Sequence, residues 1–376
     1  MSKQECSTAA VDRIGSLPDD TLIHVLSFVP TKKAVATSIL SKRWIHLWCY
    51  APVLNFTERK LEGQESVLCF HKFVCSVLHS REAAGNYSIN TFILHIEYFF
   101  ADAPIPKLPI SDLTTLVVLK LHRVSSKTFD SISNFPSLKT LHLKDIYFDQ
   151  LSNVQFFRWM LVDGCPVLED LQLSNINFFI CYTHHSFDDF ENSSMLRKLN
   201  RADITDCECY FPVKSLSNLE FLHIQLYEVY HPYDFPTFNN LTWLLLNYDW
   251  DIVVQVLHHC PKLQNLELYQ VRDDDDWVYE SELIKKYYQE KENWANPEFV
   301  PSCLTSNLTT CTMWDFAYAG QQRNHIMLAR FILENARVLE TMSMWCYTKG
   351  SKVELERVLS SCHRASSACQ LSMYCL

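Results

Sequence analysis

Cys69, His71 and Cys75 fall close together, and Cys207 and Cys209 are separated by a single residue. Thiolates and imidazoles grouped in this way hold zinc, but a closed zinc site takes four ligands at characteristic spacing, and neither set reaches four. The acidic run Asp273 to Asp276 suggests a cation loop. Such loops space their oxygen ligands and turn on a glycine, and both features are missing, so a solvated acidic loop is the better reading. His184-His185 and His258-His259 read as loop or repeat edges. No His-Glu-x-x-His, Gly-x-Ser-x-Gly or Cys-x-x-Cys spacing occurs. A ligase that works through its own thiol needs one cysteine with activating neighbours, and fifteen scattered cysteines nominate none. The expectation is a chain with no catalytic residue, no metal and no cofactor.

Composition narrows the remaining classes. A chain of 376 residues with 48% hydrophobic content can bury a large core. Its formal charge of −10 argues against a broad basic surface for nucleic acid or anionic lipid. The N-terminal stretch "MSKQECSTAAVDRIGSLPDD" has no apolar signal core, and the other apolar runs are short, so neither secretion nor a membrane span is expected. Fifteen cysteines make an odd, widely spaced set in a chain too long to need stapling, which points to reduced thiols in the nucleus and/or cytoplasm. Six glycines, none in a phosphate-cradling arrangement, make a nucleotide enzyme improbable.

The middle of the chain repeats one pattern, L-x-x-L-x-L. It reads Leu116, Leu119, Leu121; Leu138, Leu141, Leu143; Leu168, Leu171, Leu173; Leu219, Leu222, Ile224; Leu241, Leu244, Leu246; and Leu263, Leu266, Leu268. Middle positions step by 22, 30, 51, 22 and 22, and the long step hides a degenerate copy expected at Leu196 and Leu199. A period of this length implies short strands whose apolar positions share a core, so that one unit cannot fold alone. The chain resembles an irregular leucine-rich-repeat solenoid, with Cys165 and Cys260 before proline at equivalent places as buried scaffold.

Ahead of the repeats, "LPDDTLIHVLSFVP" places Leu22, Leu26 and Val29 on one helical stripe. Thr31 is expected to cap a second helix carrying Val35 and Ile39, and Ser41 a third carrying Trp44, Leu47 and Trp48. So small a unit needs association to be stable. Trp44 and Trp48 suit either a core or an interface. Lys42 and Arg43 suit either solvated charge or the polar rim of an interface.

The stretch "IGSLPDDTLIHVLSFVPTKKAVATSILSKRWIHLWCYAPVLNF" resembles the F-box of plant F-box proteins, with Ile45 a small departure from the family pattern. Near the end of the chain, "CLTSNLTT", "ARFILENARVLETMSM" and "LSSCHRASSACQLSM" resemble the FBD domain of the same proteins. Within that segment a helix is expected through Ile326, Ala329, Leu333 and Ala336, followed by a strand through Leu339, Met342 and Met344.

The resemblance implies an α/β chain in which a short three-helix F-box precedes an irregular leucine-rich-repeat solenoid capped by a C-terminal FBD segment. The expected divisions are a tail (1–12), the F-box (13–56), the solenoid (57–272), a charged insertion (273–299) partly helical from Glu282 to Lys291, and the FBD domain (300–376). It further implies a non-catalytic substrate-recognition subunit of an SCF-type ubiquitin ligase. A Skp-type adaptor, and through it cullin and a RING protein, would bind the F-box at Leu17, Pro18, Leu22, Ile23, Leu26, Val35, Leu40 and Trp44. The repeats would hold an unknown target protein. A non-ligase scaffold and a ligand-assisted receptor are the alternatives.

Overall fold

A computed structural model describes residues 13–61, 64–98, 114–124, 134–148, 151–159, 164–178, 180, 196–207, 209, 211–225, 235–247, 250–269, 294, 297–316, 322–346 and 349–375. The expected helix at 282–291, the aspartate run at 273–276 and His184-His185 lie outside them. The chain divides into two compact units, residues 1–135 and 136–376.

The first unit opens with helices α1 (Asp19–Leu26), α2 (Thr31–Ala36) and α3 (Trp44–Leu47), each a short turn-bounded segment. The expected side-chain caps do not form. Pro30 occupies the N-cap of α2, and the N-cap of α3 is Arg43. Thr31 is buried instead, and its Oγ1 accepts the Asn55 backbone N–H at 2.8 Å. A residue chosen for its hydroxyl at a helix start therefore ties the helices to the first strand.

That strand, β1 (Val53–Leu61), pairs in parallel with β2 (Thr91–Tyr98), which pairs with β3 (Val118–His122). Leu54 aligns with Phe92 and Leu119, and Phe56 with Leu94 and Leu121, all buried. The long helix α4 (Gln64–Ala83) covers this apolar layer, with Phe73 set edge-on to Phe56 at 6.1 Å. Arg81 near its end is almost fully buried. Its guanidinium donates to the carbonyls of Ala51 at 2.7 Å and Ser88 at 2.8 Å, joining the end of the helical segment to the approach of β2. Burial holds that guanidinium down at about 10, with the nearby Cys49 opposing the shift.

Among the described residues the second unit is a run of nine parallel strands: β4 (Thr140–Phe148), β5 (Asp170–Phe178), β6 (Arg201–Thr205), β7 (Phe221–Ile224), β8 (Trp243–Asn247), β9 (Asn265–Tyr269), β10 (Thr310–Phe316), β11 (Thr341–Cys346) and β12 (Gln370–Cys375). Strands that alternate apolar and polar residues bury every second side chain. The second and third apolar positions of each repeat therefore stack in two cross-strand columns: Leu141 on Leu171, Leu143 on Leu173, and onward to Leu266 on Cys311 and Leu268 on Met313. Before each strand a backbone N–H reaches the preceding repeat, as from Asn200 to Glu169 at 3.0 Å and from Glu220 to Asn200 at 2.8 Å.

The degenerate copy is one notch away from its expected place. Ala202 and Ile204 of β6, not Leu196 and Leu199, align with Leu171 and Leu173. An alanine in the column hides the repeat from a leucine pattern, because the position requires only a small apolar side chain there. Two residues past the third apolar position, Asp145, Asn175 and Asp206 share a left-handed φ of 52° to 53°. Asn and Asp tolerate that conformation best among residues with a Cβ. Asn175 Nδ2 also donates to Asp145 Oδ1 at 2.9 Å, so the bend repeats together with the columns.

The α-helices described between these strands are α5 (Asn153–Arg158), α6 (Trp250–His258), α7 (Ser302–Ser306), α8 (Gln322–Asn335) and α9 (Lys349–Leu359). The helix expected through Ile326 to Ala336 is α8, whose Leu328, Ala329, Ile332 and Leu333 are buried, and the strand expected after it is β11. Ser152 and Gln155 form a reciprocal capping box at the start of α5. There Phe156 and Phe157 join Phe148 and Phe178 in an aromatic cluster.

Cys165 and Cys260 are buried as expected of scaffold. Burial pushes the thiols of Cys165, Cys207, Cys303 and Cys311 up to about 12, which leaves almost no thiolate at neutral pH. Brief iodoacetamide treatment of the native chain near pH 8 is expected to alkylate the exposed Cys69 and Cys375. Those four buried thiols should react only after denaturation, as read by peptide mass spectrometry.

Candidate docking surface

The N-terminal helices form a small core with an apolar exterior. Leu22 and Leu26 on α1, Ala34 on α2, and Trp44, Leu47 and Trp48 at α3 are all buried. Trp44 and Trp48 are 7% and 8% exposed, so the two indoles are equally buried and neither faces solvent. Tyr50, one turn further on, is exposed, whereas Phe56 packs between Phe73 and Phe92.

Other apolar side chains on these helices and the turns between them are exposed. Phe28 is 75% exposed, Ile39 88% and Leu40 63%, and Val25 and Ile45 are exposed beside them in sequence. Phe28 keeps an edge-on contact with His24 at 4.9 Å. Large apolar side chains left in water by a folded chain mark interaction sites when they gather, and here they gather within one short segment.

Arg43 organises the approach to α1. Its Nε donates to Asp19 Oδ1 at 2.8 Å, and its two terminal nitrogens reach the backbone carbonyls of Gly15 and Leu17. The residue read as solvated charge or interface rim is thus a clasp that fixes Leu17 and Pro18 against α3. Asp19 and Asp20 lie in the first turn of α1, where the helix dipole favours negative charge.

Among the residues expected to contact an adaptor, Pro18 and Leu40 are exposed, and Leu17, Ile23 and Val35 are half-buried. Leu22, Leu26 and Trp44 lie in the core of the helices. Val25, Phe28, Ile39 and Ile45 were not among the residues expected to contact an adaptor. Val25 on α1 and Phe28, two residues past its end, are exposed apolar residues three apart in sequence, and that spacing is the signal that could have found them.

The cysteine sets form no metal site among the described residues, where no three metal-ligating side chains gather. His71 Nε2 and Cys75 Sγ are 3.3 Å apart on successive turns of α4, with Cys69 exposed. Cys207 is buried and its Sγ lies 3.3 Å from the Thr205 carbonyl, while Cys209 is half-buried.

A short helical segment with exposed apolar side chains and a long series of parallel strands make this a chain of the α/β class. Residues 14–55 match the F-box domain, and residues 296–344 match the FBD. Over 96% of its length the chain is 26% identical to the FBD-associated F-box protein At4g10400 of Arabidopsis thaliana, covering all of that protein. It is 28% identical to the F-box/FBD/LRR-repeat protein At5g56420 of the same plant, over 96% of this chain and 98% of the relative. A third relative, the F-box/FBD/LRR-repeat protein At5g22700, is 34% identical over 44% of this chain and 42% of its own. The chain thus matches the F-box and FBD models in these two segments and is similar over most of its length to plant proteins named for both.

Proposed function

We propose that this chain is the substrate-recognition subunit of an SCF-type ubiquitin-protein ligase. In that role the F-box docks on a Skp-type adaptor, which connects to cullin and a RING protein, and the strand series, read as a leucine-rich-repeat solenoid, holds a target protein for ubiquitination. The observation that carries it is the coincidence of the F-box match at 14–55 with the segment that leaves Phe28, Ile39 and Leu40 in solvent. The chain supplies no nucleophile of its own. It acts by proximity, since holding a target lysine beside a charged ubiquitin carrier raises the effective concentration of the two.

Leu17, Pro18, Ile23, Val35 and Leu40 have the exposure needed to touch the adaptor directly, together with Phe28 and Ile39. Leu22, Leu26 and Trp44 support that surface from beneath. No described helix is long and apolar enough to cross a membrane, and the proposed place of action is the nucleus and/or cytoplasm.

The test uses the full chain, because β1 begins inside the F-box segment and completes its pairing on β2. A Skp-type adaptor is expected to co-purify with it and to be lost with Leu17→Ala plus Pro18→Ala. Full retention by that double variant would remove the two residues from the docking assignment.

A further inference from the structure

In the second unit, the side chains that alternate with the buried columns form rows on the opposite sheet face. Trp345 aligns with Tyr374, and the rings of Trp314, Trp345 and Tyr374 stack in succession at 5.2 Å and 4.6 Å, with interplanar angles of 16° and 25°. Beside this stack, Glu267 of β9 aligns with Thr312 of β10 and Leu245 of β8.

Glu267 is held from two sides. Trp243 Nε1–H donates to its Oε1 at 3.0 Å, and Trp314 Nε1–H donates to its Oε2 at 3.0 Å. Both indoles orient the carboxylate without neutralising it, and each oxygen keeps a further lone pair. The other acids on this face have cationic or imidazole neighbours. Asp170 lies 3.7 Å from Arg201 and 2.9 Å from His142, and Asp203 lies 3.9 Å from Arg201 and 2.9 Å from His223. Among the described residues Glu267 has no cationic neighbour within ion-pair distance.

We propose that Glu267, clamped between Trp243 and Trp314, is the anchor for a lysine or arginine of the target protein, resting on the target-holding role given above to the strand series. Charge complementarity selects the occupant: one fixed carboxylate with no cationic partner among the described residues, on a chain of formal net charge −10. The aromatic stack selects the rest of it. The stack covers both faces of Trp345 and offers a row of ring edges, which suits packing of an aliphatic stem and an adjoining apolar side chain. The partner is therefore a protein segment carrying a basic residue next to an apolar one.

The probe is a phage-displayed library of short random peptides selected on the full-length chain. Enriched clones are expected to carry Lys or Arg beside an apolar residue, to bind Glu267→Gln at least about tenfold more weakly, and to lose binding on the native chain as salt approaches about 1 M, where the Debye length is about 3 Å. The salt series keeps the test informative even when the substituted chain folds poorly. Neutral or acidic enriched clones, equal binding to the folded Glu267→Gln chain, salt-insensitive binding or no enrichment at all would each overturn the proposal. Adaptor co-purification does not involve Glu267, so a failure here is separable from a failure of the ligase assignment.

Discussion

Replacing Ile39 and Leu40 together by aspartate is expected to weaken capture of a Skp-type adaptor by roughly a hundredfold or more while leaving the fold intact. The two side chains are adjacent and largely exposed, so the free chain loses almost nothing by their removal. Exposed positions of this kind change stability by about 0.5 kcal/mol or less. A complex that buries them would instead take two carboxylates out of water without partners, which is costly. Surface capture with purified adaptor, alongside a thermal melt of the free chain, separates the two effects. An unchanged melting temperature with lost capture is the expected pair of results. Unimpaired capture would move the docking surface off these residues.

Trp44→Ala is expected to act through folding. The indole is buried, as are Leu22, Leu26 and Leu47 of the same segment, and truncating a buried aromatic costs about 3–5 kcal/mol. Typical domains have a total stability of about 5–15 kcal/mol. The first unit should therefore melt well below the unsubstituted chain, and adaptor capture should fall in step with the folded fraction, recovering on cooling. Trp48→Ala should behave alike, since the two indoles are equally buried. A Trp44→Ala chain that melts normally yet fails to bind would make Trp44 a contact residue after all.

The strand columns were legible because burial on a sheet imposes a spacing on leucine that survives in the sequence. Leu141, Leu171, Leu222, Leu244 and Leu266 all occupy the same column, as the pattern required. The column breaks at Ala202, where chemistry permits a residue that carries no leucine signal. Helical spacing in the F-box told which residues share a face but not which face points inward. Trp44 and Phe28 were therefore indistinguishable from sequence as core or surface. Long-range partners were out of reach as well. Thr31 finds Asn55, Arg43 finds Gly15, Leu17 and Asp19, and Arg81 finds Ala51 and Ser88, none of them pairs that local spacing reveals. Glu267 likewise gained meaning only when three strands brought Trp243 and Trp314 to its two oxygens.

The most direct measurement is co-purification of cullin together with a Skp-type adaptor on the tagged full-length chain, compared with a chain lacking residues 13–56. The substrate-receptor account predicts both proteins on the intact chain and neither on the truncated one. Adaptor without cullin would contradict it in favour of a non-ligase scaffold, and adaptor bound equally by the truncated chain would contradict the docking role of the F-box itself.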